Sequence, residues 1–278
     1  MVAAAKLRLG YIPYLNCVPF FHFLRETGFQ GTYVSGVPAE LNRMLQCGQL
    51  DVSPSSSFEY ARHWRDYLLL PNHSISSVQQ VKSVLLFSPV DVEELDGRNI
   101  AITGESATSI NLMRVILREF YQLQDVSDSV PDEKIEQLIC QGTPALLIGD
   151  RALQLAADCP AGTKIFDLGE IWYQNTGLPF VFALWMICRK SISAHSDDLA
   201  LLGEQLTRAR ARLDEQSLAI ATSVAGKVGL TAETIVDYWQ TIDYHLENDH
   251  LKSLNLFFSL CKKYRLLDEE PELLFWNC

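Results

Sequence analysis

The segment Thr103-Gly104-Glu105-Ser106-Ala107-Thr108-Ser109 places several hydroxyls immediately ahead of Ile110, Met113, Val115, Ile116, Leu117 and Phe120, whose spacing is helical. The first turn of a helix offers N–H groups with no intrahelical partner and the positive end of the helix dipole. Hydroxyls gathered there suit a carboxylate or phosphate, with Ser106, Thr108 and Ser109 as the candidate donors. The plainer alternative is that one of them simply caps the helix. The chain's formal net charge is -11, so an anionic ligand must be caught by local donors rather than by a basic field.

Other polar residues stand at comparable places. Asn16 follows Pro13 in the first strand-to-helix connection, where its amide can both donate and accept, or serve as a turn or cap. Ser55-Ser56-Ser57 precedes a helix carrying Phe58, Tyr60, Ala61 and Trp64. One serine suffices as a cap, which leaves Ser55 and Ser56 as candidates for a ligand. Ser83 opens an apolar strand and can face a cleft. Gly149-Asp150 ends another strand, with Asp150 as the expected helix N-cap or as an acceptor for a ligand hydroxyl. Thr176, in Thr176-Gly177-Leu178-Pro179, precedes a return strand and could close a cleft.

Several kinds of chemistry find no support. There is no Gly-x-x-x-x-Gly-Lys-Ser/Thr phosphate loop, no dinucleotide fingerprint and no Gly-x-Ser-x-Gly elbow. His245 and His250 lie five apart among Asp243, Glu247 and Asp249, a spacing that aligns poorly on a helix, so no metal site is expected. No cofactor is implied. Lys262-Lys263-Tyr264-Arg265 reads as a solvated helix end, and the acidic balance argues against nucleic acid. The seven cysteines (17, 47, 140, 159, 188, 261 and 278) include no Cys-x-x-Cys pair, which fits a reducing cytoplasm. No signal-peptide core is read before Leu9-Gly10. The longest apolar run, Leu178 to Cys188, is far short of the roughly 20 residues of a membrane span.

These residues need elements to position them. Leu7–Ile12, Gly31–Ser35 and Leu50–Ser53 read as strands, and the helices between and after them start near Pro19, near Pro38 and after Ser57. Ser83–Ser88, Asn99–Thr103 and Ala145–Ile148 are further strands, with helices from Ser109, near Asp132–Cys140 and from Arg151. Phe180–Arg189 returns as a strand, and the remainder is expected to be almost wholly helical. An α/β chain of two lobes joined by two crossing segments explains this order. The boundaries are set at 1–87 with 188–278 for the first lobe and 88–187 for the second. The loops at the carboxyl ends of the strands then face a central cleft.

The segment Gly10-Tyr11-Ile12-Pro13-Tyr14-Leu15-Asn16-Cys17-Val18-Pro19 resembles the opening of the MqnA-type menaquinone-biosynthesis enzymes, the chorismate dehydratases of the futalosine pathway. Gly48–Ser53, Ser106–Ser109, Leu146–Asp150 and the stretch from Trp172 through Thr176 to Trp185 are similar too. The resemblance implies a two-lobed periplasmic-binding-protein-like (type II) fold with a helical C-terminal segment, used as a cytoplasmic lyase. It implies dehydration of chorismate to 3-[(1-carboxyvinyl)oxy]benzoate, with the substrate's own enolpyruvyl carboxylate removing the C3 proton. Asn16 and Ser83 fall where that family has its active-site asparagine and cleft serine. The sister family that makes 1,4-dihydroxy-6-naphthoate opens with a Ser-Pro-Cys-Pro-Asn type of segment, which this chain lacks. The rival readings are a non-catalytic binding protein for a small or aromatic carboxylate and a ligand-sensing domain. Chorismate is the expected partner, with neither nucleic acid nor membrane, and the oligomeric state is left open.

Overall fold

The computed structural model describes residues 6–277. Met1–Ala5, part of the stretch read for a leader, and Cys278 lie outside the described residues. The chain opens as its alternation predicts, with β1 (Arg8–Tyr11), α1 (Val18–Glu26), β2 (Thr32–Ser35), α2 (Pro38–Gln46), β3 (Val52–Ser56) and α3 (Ser57–His63). Pro19 and Pro38 stand in the first turns of α1 and α2, where a missing N–H costs nothing. Gly10 lets β1 approach β3 closely, because a Cβ there would lie 2.2 Å from Ser53 Oγ.

The structure then departs from expectation with β4 (Tyr67–Ser77), an eleven-residue strand. There follow β5 (Val84–Ser88), β6 (Asn99–Ile102), α4 (Ala107–Glu119), β7 (Ser127–Ser129), α5 (Ile135–Cys140), β8 (Ala145–Ile148) and α6 (Gly149–Ala157). Next are β9 (Lys164–Asp167), α7 (Leu168–Thr176), β10 (Phe180–Cys188), α8 (Ile192–Val228), α9 (Ala232–Trp239), β11 (Ile242–Leu246) and α10 (Asn248–Lys263). The C-terminal part is therefore not wholly helical. β11 interrupts it and adds itself to a sheet.

Two sheets carry the molecule. The six-stranded one runs β11-β4-β10-β3-β1-β2, and the five-stranded one runs β7-β6-β8-β5-β9. Around β1 the first sheet is parallel, while β4, β10 and β11 join it antiparallel. In the second, β6 is parallel to β7 and β8, and β5 is antiparallel to β8 and β9. The chain crosses between sheets ahead of β5 and ahead of β10. Both crossings come earlier than the boundaries at 87 and 187, because β5 pairs within the second sheet and β10 within the first.

The crossing before β5 is held by Asp167, whose carboxylate accepts from the N–H groups of Val81 and Lys82 at 3.0 and 2.7 Å. Lys82 adopts φ +59°, a left-handed conformation that redirects the chain into Ser83. A single apolar core extends from the first sheet to α4 and α7. A smaller one, built on Phe87, Ile135 and Leu147, fills the far face of the second sheet. Trp172 and Phe180 stack edge to face against Phe257 of α10, which ties that helix to α7 and β10 on either side of the second crossing.

Candidate active site

Between the two sheets lies a cavity of about 80 Å³ that collects residues from widely separated parts of the chain. Asn16 comes from the loop after β1, Ser55 and Ser56 from the end of β3, and Ser83 from the crossing before β5. Ser106 and Ser109 come from the start of α4, and Gly149 from the start of α6. Ile12, Ile75, Val84, Ile148, Phe182 and Ile242 supply apolar wall. No Lys, Arg or His is in the lining. Its only ordinarily titratable side chains are Tyr14 and Cys17, and burial above all pushes both well up, so both are protonated at neutral pH.

Positive potential comes from backbone instead. The starts of α1, α4 and α6 all face this space. α1 and α6 begin without any side-chain cap; backbone carbonyls of Leu15 and Ser83 take the first N–H of each, from Val18 and Gly149. Ser106 caps α4, its Oγ accepting from Ser109 N at 3.3 Å and lying 3.0 Å from Ser109 Oγ. Ser56 caps α3 by accepting from Glu59 N at 3.4 Å.

Two polar atoms in the lining have no partner among the described residues. Asn16 Oδ1 and Ser55 Oγ are both buried and unbonded, although such groups are nearly always satisfied. The backbone of Ser55 is paired with Leu184 of β10, and that of Asn16 is held by side chains. The Asn16 carbonyl accepts from Tyr244 OH at 2.8 Å, and the adjacent Leu15 carbonyl accepts from Trp239 Nε1 at 2.7 Å. Ser83 Oγ meets Tyr238 OH at 2.9 Å, and the Ser83 carbonyl accepts from Gly149 N at 2.7 Å. Gly149 has φ +65°, and a Cβ there would sit 3.5 Å from the Tyr14 ring that closes this side of the cavity.

Three residues singled out in the sequence stand elsewhere. Thr108 is fully buried behind the lining, where its Oγ1 lies 2.6 Å from Ser56 Oγ and 3.2 Å from Ser57 Oγ and accepts from Phe58 N at 3.1 Å. It joins α4 to α3 across the cleft. Asp150 is not the N-cap of α6 but lies in its first turn, and its carboxylate accepts from Leu15 N at 3.0 Å. Burial raises that carboxyl, with the Leu15 N–H acting against it. Thr176 is at the end of α7, outside the lining. Its hydroxyl donates to the Trp172 carbonyl at 2.8 Å and accepts from Leu178 N at 3.1 Å.

Tyr14 also lines the cavity, and Tyr238, Trp239 and Tyr244 bond Ser83, Leu15 and Asn16 behind it; none was singled out in the sequence. Tyr14 stood in the opening loop and could have been singled out; the other three reach the site only because β11 folds back onto β4. His245 is likewise on a strand rather than a helix. It and His250 both face Asp243, at 2.7 and 3.1 Å. Among the described residues no group of three or more His, Cys, Asp or Glu side chains could hold a metal ion. No helix among them is long and apolar enough to cross a membrane.

Residues 7–263 match a protein family described as menaquinone biosynthesis. A chorismate dehydratase of Thermus thermophilus is 32% identical over 266 residues, covering 90% of this chain and 93% of that one. A chorismate dehydratase of Campylobacter jejuni is 31% identical over 187 residues, 65% of this chain and 67% of that one. Among solved structures, the periplasmic aliphatic sulphonate binding protein of Escherichia coli superposes with a TM-score of 0.71 at 15% identity, covering 98% of this chain and 92% of that one. The two-lobed architecture is thus the periplasmic-binding-protein fold.

Proposed function

The chain belongs to the menaquinone-biosynthesis family, and on that premise we propose that it is a chorismate dehydratase, releasing water and 3-[(1-carboxyvinyl)oxy]benzoate. The observation that carries the reading is the cavity's lack of any side chain able to act as a base, combined with its wealth of neutral donors. An enzyme built this way suits a substrate that brings its own base and its own driving force. Chorismate has both, since loss of one water makes its ring aromatic.

The proton balance closes within the substrate. The enolpyruvyl carboxylate takes the proton from C3, and the C3–H electron pair spreads into the diene and its ring carboxylate. The C4–O bond then breaks. The departing hydroxide takes the proton back from the enolpyruvyl carboxyl, so water leaves and the carboxylate is regenerated.

The absence of a cation supports this route. A Lys or Arg beside the enolpyruvyl carboxylate would lower its pKa and weaken it as a base. Helix ends spread a smaller positive potential that holds dianionic substrate without neutralising one carboxylate. In this reading the α4 start, with Ser106 and Ser109, binds the ring carboxylate, where negative charge grows in the transition state. Asn16 positions the leaving hydroxyl or the internal carboxylate, Ser83 donates to the reacting side of the substrate, and Ser55 and Ser56 complete the donor set. Orientation and preorganised donors supply the rate.

The test is incubation with chorismate, followed by mass and ultraviolet absorbance. Protein-dependent loss of one water with appearance of the substituted benzoate is the expected result. Binding with unchanged chorismate would instead establish a carboxylate-binding protein.

A further inference from the structure

Ser83 Oγ carries one hydrogen, and where that hydrogen points decides what the residue can do for a substrate. Its partner in the protein is the Tyr238 hydroxyl at 2.9 Å, and Tyr238 is 1% exposed. Only one arrangement of the pair satisfies both groups. If Ser83 donated, the phenol hydrogen would be left inside the core with no acceptor, since Tyr238 OH bonds to nothing else among the described residues. Tyr238 therefore donates, and the Ser83 hydrogen is free to turn into the cavity that Ser83 lines.

The same stretch of chain controls the other side of the site. Trp239 Nε1 donates to the Leu15 carbonyl and Tyr244 OH to the Asn16 carbonyl, at 2.7 and 2.8 Å. Asp237, next to Tyr238, forms an ion pair with Lys82, next to Ser83. The end of α9 and the start of β11 thus grip both the Asn16 loop and the Ser83 crossing.

We propose that Tyr238 is a positioning residue for the reaction, one that commits Ser83 to donate toward the substrate, while Trp239 and Tyr244 fix the loop that presents Asn16. This rests on the dehydratase reading and adds to it a requirement for a residue that does not touch substrate.

A double-mutant cycle tests it, using kcat, KM and thermal midpoint for the unsubstituted protein, Tyr238→Phe, Ser83→Ala and the double variant. Tyr238→Phe removes one oxygen and keeps the ring. It is expected to lower kcat on the order of tenfold to a hundredfold, less than direct removal of a transition-state donor. KM should stay within about threefold, a split that marks loss of a transition-state interaction. The double variant should be no slower than Ser83→Ala, because Tyr238 acts only through Ser83. Undiminished kcat in Tyr238→Phe, or losses that multiply in the double variant, would overturn the proposal. A parallel fall in thermal midpoint and kcat, with multiplying losses, would reassign Tyr238 to packing alone. If the unsubstituted protein leaves chorismate unchanged, the dehydratase reading itself fails and the proposal falls with it.

Discussion

Asn16 Oδ1 and Ser55 Oγ are buried in the cavity wall with no bonding partner among the described residues. Leaving a polar group in that state costs roughly 1–3 kcal/mol, so it persists where a ligand supplies the missing partner. Asn16→Ala should therefore cut kcat by about 10²- to 10³-fold, as for loss of a transition-state donor. Its thermal midpoint should be unchanged or slightly higher, since an unsatisfied group has been removed. Ser55→Ala should likewise hold or gain stability while it weakens substrate. Kinetics and calorimetry on the two variants check this, and destabilisation with full activity would make both residues structural. Position at the cavity was readable in advance where a hydroxyl or amide sat in a loop at a strand's carboxyl end, as with Asn16 and Ser106, or opened a strand at a crossing, as with Ser83. It was not readable for Thr176, whose hydroxyl turns back onto its own helix at Trp172, because α7 itself had not been foreseen.

β4 is the element that most changes the picture, and its composition explains why it was hard to see. Pro71, Asn72, His73, Ser74, Ser76 and Ser77 break the apolar alternation that marks a strand. The serines are buried all the same, because Ser74 and Ser76 donate to the β11 carbonyls of His245 and Asp243. A strand whose polar groups are satisfied by another strand cannot be recognised until both are found. His73 shares that burial, at 2% exposed. Burial first, with nearby Arg210 and His245 adding to it, pulls its imidazole down to about 4. The unfolded chain binds that proton near pH 6.5. Stability is thus fully present above about pH 6.5 and is lost as pH falls toward 4, by roughly 2 kcal/mol at pH 5. The carboxyls of Asp150 and Asp167, raised mainly by burial, act with the opposite sign nearer the carboxylate range. Urea unfolding at pH 7.5 and pH 5 should show a drop in stability that His73→Gln diminishes by about that amount. An equal drop in the variant would assign the effect to other groups.

At the scale of the whole molecule, the cavity is too small for the work proposed for it. Sites for small ligands run to roughly 300–1,000 Å³, against about 80 Å³ here, so the walls must move to admit chorismate, and parting of the lobes is the expected movement. Besides the apolar core that runs from the first sheet to α4 and α7, a set of directional bonds holds them together around the cavity. Ser57 Oγ donates to the Val181 carbonyl at 2.8 Å, so it must accept from Thr108, and Thr108 in turn accepts from Ser56 and from Phe58 N. On the other side of the cavity Leu15 N donates to Asp150, and Tyr14 OH donates to Glu105 at 3.3 Å. The amides of Leu15 and Phe58 therefore lose their acceptors together when the lobes separate, whereas Leu69 N, bonded to the Leu274 carbonyl within the first lobe, does not. Hydrogen exchange should show Leu15 and Phe58 opening at a common rate, faster than Leu69. The benzoate product at about 100 times its Kd should slow both by about 100-fold, because a ligand enclosed between the lobes stabilises only the closed state. Unequal rates, or protection equal to Leu69 without ligand, would mean that the substrate reaches the cavity by local rearrangement around Tyr14 and not by movement of one lobe against the other.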